Sequence, residues 1–168
     1  MEYKLKPISK SGIKEAFEKV THYRYLHQFD EAESICRDIV AAGPDDQNAQ
    51  RMLGLIITDQ FTGKTSDRYA EAEKIFESLS DAYERAYYSG ILHERRAKAQ
   101  LHAGNLPHTV LGHFEEAMRF YEQAEKIRPA GNDDAILRWN RCARLLQSGA
   151  TSDEREEEFE ASDSAPLR

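Results

Sequence analysis

Apolar residues recur every three to four positions through most of the chain, the period of one face of an α-helix. The first run begins near Ser11 and is carried by Ile13, Phe17, Val20 and Tyr23 or Arg24. After a turn at Gln28-Phe29, a second run buries Ala32, Ile35, Cys36 and Ile39. It stops at Gly43-Pro44, where a permissive residue precedes one that lacks the helical amide donor. A third run opens at Asp45-Asp46 and passes through Leu53-Gly54-Leu55-Ile56-Ile57, and a fourth carries Ala72, Ile75, Phe76 and Leu79. A fifth is unbroken from Asp81 to about His102, and a sixth, expected from His113 to Arg128, carries Ala117, Phe120, Tyr121, Ala124 and Ile127. Beyond Pro129, Asn132 is placed to cap a last helix with Ile136, Trp139, Ala143 and Leu146 on one face. Asp30 with Glu33, and Asp81 with Glu84, have the spacing of N-terminal capping pairs. The pattern predicts an all-α chain.

Three of these helices open alike. An aromatic residue stands three positions before an alanine set among acidic residues in Phe29-Asp30-Glu31-Ala32, Tyr69-Ala70-Glu71-Ala72 and Phe114-Glu115-Glu116-Ala117. Ala32 and Ala117 are followed at the same distance by a helix-ending proline, Pro44 and Pro129. Together with the pair Leu53-Gly54, this recurrence resembles the tetratricopeptide repeat, a helix-turn-helix unit of about 34 residues. The resemblance implies an α-solenoid of about three helix pairs over residues 11–147, with a short N-terminal extension (1–10) and the last helix capping the stack. It also implies close packing of Gly54 against Ala72, with Gly90 taking the small-residue role in the third unit. Two insertions depart from the family's pattern, Thr62-Gly63-Lys64-Thr65-Ser66-Asp67 and an irregular stretch from Ala103 to Gly112.

In tetratricopeptide proteins the first helices of successive repeats line a concave groove that binds proteins or peptides. The positions implied here are Phe17, Thr21 and Arg24, then Asn48, Arg51 and Leu55, then Tyr87, Ile91, Glu94 and Arg95. Apolar area beside guanidinium groups suits a peptide carrying acidic and apolar side chains. The clamp with which co-chaperone members grip the acidic C-terminus of heat-shock proteins needs Lys, Asn and Arg where this chain has Phe17, Thr21, Met52, Glu84 and Tyr88, so it is absent. Three-repeat chaperones of type III secretion are of similar size and stand as an alternative reading, although the insertions and an acidic tail depart from their pattern.

Charge narrows the partner class. Of a net charge of −7 over 168 residues, five units lie in residues 151–168, where seven acidic residues face Arg155 and Arg168. The remainder is nearly neutral, without the basic excess that a nucleic-acid binder needs. Residues 148–168 read as a disordered acidic tail. Neither an N-terminal apolar leader nor a membrane-length apolar run is evident, so a cytoplasmic protein without membrane contact is expected. Cys36 and Cys142 are expected as free core thiols.

No catalytic chemistry is expected, and no cofactor or metal. Gly63-Lys64-Thr65 ends like a phosphate-binding loop, but Thr58 stands where the first glycine belongs. His93-Glu94 opens like a zinc-protease helix, but Ala97 replaces the second ligand. The alternative to an adaptor is a metal- or ligand-binding enzyme accessory that uses the 103–112 loop with His102, His108 and His113.

Overall fold

Seven α-helices follow one another among the described residues: α1 (Ile13–Tyr25), α2 (Phe29–Ala42), α3 (Gln47–Asp59), α4 (Tyr69–Glu77), α5 (Ala82–His102), α6 (Pro107–Ile127) and α7 (Asp134–Asp163). The structure, a computed structural model, describes the backbone of residues 3–163 and, Pro107 aside, the side chains up to Ser148. The backbone of α7 continues past the boundary expected at residue 147, while the side chains of the acidic tail from residue 149, and residues 164–168 altogether, lie outside the described residues.

Local side-chain chemistry sets the starts of α3 and α5. Asp46 accepts hydrogen bonds from the Asn48 and Ala49 amides at the start of α3, and Asp81 accepts one from Glu84 at the start of α5. Asn132 accepts from the Asp134 amide, as expected of a cap for α7. Asp30 does not cap α2. That helix begins one residue earlier, at Phe29, with no side-chain cap on Gln28. Glu33 is instead drawn to tertiary partners, because three donors, Arg37, Gln60 and Arg68, reach it from other turns and elements.

The second insertion is smaller than its sequence suggests. Pro107 is the first residue of α6, where a missing amide hydrogen costs nothing and a fixed φ favours the helix, so 107–112 is helical rather than irregular. Ile127, expected on the buried stripe, is exposed at the far end of the same helix.

Each helix packs on the next in sequence, and α3 also touches α5. Two cores result. One joins Val20, Ala32, Cys36, Ile39, Leu53, Ile56, Ala72, Phe76 and Leu92 from α1 to α5, the other Ile91, Val110, Phe114, Ala117, Tyr121 and Cys142 from α5 to α7. Neighbouring residues Ile91 and Leu92 point to different cores, so α5 is the wall between them. Each fully buried Leu, Ile or Phe contributes about 1.5–3 kcal/mol.

The recurrent alanines Ala32, Ala72 and Ala117 are all fully buried. The atoms nearest a side chain at Gly54 belong to Phe76, one turn beyond Ala72. A Cβ there would lie 2.4 Å from the Phe76 ring, and one at Gly90 would lie 2.5 Å from the Tyr121 ring. Each glycine accommodates an aromatic side chain one turn beyond the alanine. In the first helix pair the corresponding residues are Val20 and Cys36, both fully buried, with the bulk shifted from one helix to the other.

The Glu33 cluster ties α2 to the end of α3 and to the segment before α4. Arg68 donates to both carboxylate oxygens, at 2.5 and 2.7 Å, and Arg37 bridges Glu33 to Glu71. The Arg68 hydrogen bonds outweigh burial and, with Gln60 and Arg37, bring the Glu33 carboxyl down to about 2. Because the folded pKa is depressed, its stabilisation is complete above the unfolded value near 4.5 and is lost as pH falls toward 2. With partly exposed arginines as partners, the loss is about 2 kcal/mol. Acid titration of the melting temperature should show a smaller fall across this window for Glu33→Gln than for the unchanged protein.

Candidate functional site

One residue gathers α1, α3 and α5. Asp59, the last residue of α3, accepts hydrogen bonds from Arg24 of α1, at 2.5 Å to Nε and 3.3 Å to Nη2, and pairs with Arg95 of α5 at 2.7 Å. Arg95 also donates to the Leu55 carbonyl at 2.9 Å and the Thr58 hydroxyl at 2.6 Å. Burial lowers the Arg95 pKa and Asp59 opposes the shift, but arginine stays charged at neutral pH. Two expected residues, Arg24 and Arg95, thus converge on Asp59, which sequence reasoning missed, and Arg95 also holds the carbonyl of a third, Leu55. Its signal was there: Arg51, Leu55 and Asp59 follow at four-residue spacing, one helical face.

Near the start of the same helices, Arg51 pairs with Glu84 of α5 and donates to the Asn48 side chain at 2.6 Å. Corresponding ends of α3 and α5 therefore lie together. Tyr87 stacks on Tyr83, with ring centroids 5.7 Å apart, and packs into the second core. Phe17 is half-buried against the first core, while Thr21 and Asn48 are exposed. Between α1 and α3 lies an open depression of about 340 Å³ lined by Thr21, Arg24, Tyr25, Met52 and Asp59 among others.

Ile91 and Glu94, expected in the same lining, are buried. Glu94 is fully enclosed, accepts from the Tyr121 hydroxyl at 2.5 Å and pairs with Lys98 and, at 3.3 Å, with Arg138 of α7. Burial opposes its ionisation, but Lys98, Tyr121 and Arg138 prevail and hold the carboxyl below its usual range. Five cations, Arg24, Arg51, Arg95, Lys98 and Arg138, share three carboxylates, those of Asp59, Glu84 and Glu94. Positive charge is in excess.

The histidines of the second insertion are arranged differently. His113 lies against His93, ring centroids 6.3 Å apart, and His93 stacks on Phe120. Burial lowers the pKa of both histidines. Among the described residues no group of three or more His, Cys, Asp or Glu is placed to hold a metal ion. Cys36 and Cys142 are buried free thiols, pushed up to about 12 mainly by burial, and so protonated at neutral pH. No described helix is long and apolar enough to cross a membrane.

In comparisons with known proteins, the chain matches no family model, and no curated protein or solved structure matches it. The resemblance to tetratricopeptide repeats therefore rests on the residues of this chain alone.

Proposed function

We propose that this chain is a tetratricopeptide-type adaptor. It binds a partner protein or peptide through the concave face formed by α1, α3 and α5, with no chemistry of its own, in the cytoplasm. The observation that carries the reading is the double ion pair at Asp59. A carboxylate on α3 that takes one arginine from α1 and one from α5 puts a residue from each first helix on a common surface, as a solenoid of helix pairs requires. In this reading α7 extends the series as a cap, since Arg138 and the Asn132–Tyr83 hydrogen bond join it to α5.

The surface favours an acidic and apolar peptide. Five ion-paired cations on α1, α3, α5 and α7 share three carboxylates, and Tyr25 and Met52 add apolar area beside Arg24. Ion pairs already made within the protein hold the guanidinium groups in place, so a partner's carboxylate meets preorganised donors. Thr21 and Asn48 are exposed and contribute little to the core, which makes them the positions to alter. Thr21→Glu together with Asn48→Glu should weaken capture of a partner at least tenfold in a pull-down while circular dichroism and melting temperature stay unchanged. Undiminished capture by the folded double variant would contradict the reading.

A further inference from the structure

The first insertion is a built loop. Gly63 has a φ of 80°, and a Cβ on it would lie 2.6 Å from the Ala99 carbonyl oxygen, so only glycine lets the loop backbone rest on α5. Asp67 fastens it there: its carboxylate accepts from the Thr62 amide and hydroxyl, each at 2.8 Å, and from the Gly63 amide at 2.7 Å. Between loop and helix is a partly enclosed cavity of about 120 Å³, lined by Phe61, Gly63, Lys64, Thr65, Asp67, Tyr69, Arg96 and Gln100. At about 30 Å³ for each water, it has room for a small polyatomic group.

The lining carries two cations and one carboxylate. Arg96 lies over the Tyr69 ring, 4.3 Å from its centroid, and no carboxylate among the described residues pairs with it. Lys64 likewise has no ion pair among them, in contrast with Arg24, Arg68 and Arg95. Thr65 and Gln100, whose side chains can donate hydrogen bonds, belong to the same lining. Asp67 is the one acid in the lining, and its oxygens are already engaged by Thr62 and Gly63. Tyr69 is the first residue of α4, so the cavity sits at the positive end of that helix.

From these features we infer that the cavity is a binding site for a phosphate group. Lys64 and Arg96 against the single carboxylate of Asp67 leave the lining one positive charge in excess, which suits a phosphate group, and Thr65 and Gln100 add neutral polar side chains to the same lining. The site is separate from the face of α1, α3 and α5 and does not depend on partner binding there. Free phosphate and a phosphorylated hydroxyl side chain present the same group.

Isothermal titration of the full chain with inorganic phosphate, and in parallel with a short phosphoserine peptide, tests the site at fixed ionic strength maintained with chloride. Saturable binding of one phosphate group per chain is expected for at least one of the two ligands, and the tighter one identifies the source. Lys64→Gln and Arg96→Gln should each weaken it about tenfold. Lys64→Gln lies in the exposed loop, and an unchanged melting temperature will separate lost binding from lost folding. Absence of saturable binding for both ligands, or unchanged affinity in both variants, would overturn the assignment.

Discussion

Glu94→Ala is expected to lower the unfolding free energy by about 3 kcal/mol in urea denaturation. The carboxylate is fully buried and joins α5 to α6 through Tyr121 and to α7 through Arg138. Removing one member of a buried ionic cluster costs about 3–5 kcal/mol, because the remaining groups stay desolvated without a partner. Lys98 and Arg138 retain some exposure and can regain water, which places the loss at the lower end. Tyr121 cannot, being fully buried. A double-mutant cycle isolates that hydroxyl: Tyr121→Phe alone should cost about 2 kcal/mol, as expected for a hydrogen bond to a charged group, but should recover stability in the Glu94→Ala background, where it removes a buried hydroxyl that has lost its acceptor. A Glu94→Ala loss within about 0.5 kcal/mol of zero, the usual range for surface changes, would show that the cluster does not hold α5, α6 and α7 together.

Gly90→Val should be as damaging, with a loss of about 3 kcal/mol. Its Cβ would lie 2.5 and 2.6 Å from two carbons of the Tyr121 ring, closer than atoms can approach, so the ring must move. Overpacking costs about 1–3 kcal/mol, and here displacement of the ring also strains the hydroxyl's bond to Glu94. Even Gly90→Ala should destabilise, although alanine gains about 1 kcal/mol over glycine in helix propensity. Tyr121→Leu should relieve much of the Gly90→Ala penalty, because the first helix pair manages the same junction with Val20 and Cys36. Thermal melts of the two single variants and the double variant would show that relief as a strong departure from additivity.

Helical period, the recurrent alanines and the cap at Asp81 were legible because each depends on residues within a few positions of one another. What failed depended on neighbours distant in sequence. Asp30 and Glu33 have capping spacing, but a glutamate suited to a cap suits an ion pair equally, and Arg68 claims it. Pro107 can end one helix or begin another, and nothing local distinguishes the two roles. That the Phe76 ring lies closest to Gly54 depends on how α3 packs on α4, which local period does not encode. The same limit governed the candidate face. Arg24, Arg51 and Arg95 could be singled out as charges on first helices, but their engagement with Asp59 and Glu84, and the burial of Glu94, needed the packed structure.

The account rests most on where a partner touches the molecule, and site-specific photocrosslinking measures that directly. A photoreactive residue placed at Asn48 of α3 is to be compared with one at the exposed Glu31 of α2 and one at the exposed Lys74 of α4. The account predicts that a copurifying partner crosslinks from Asn48 and not from Glu31 or Lys74, with the crosslink competed by an acidic peptide. Crosslinking from the second helices alone, with none from Asn48, would contradict it.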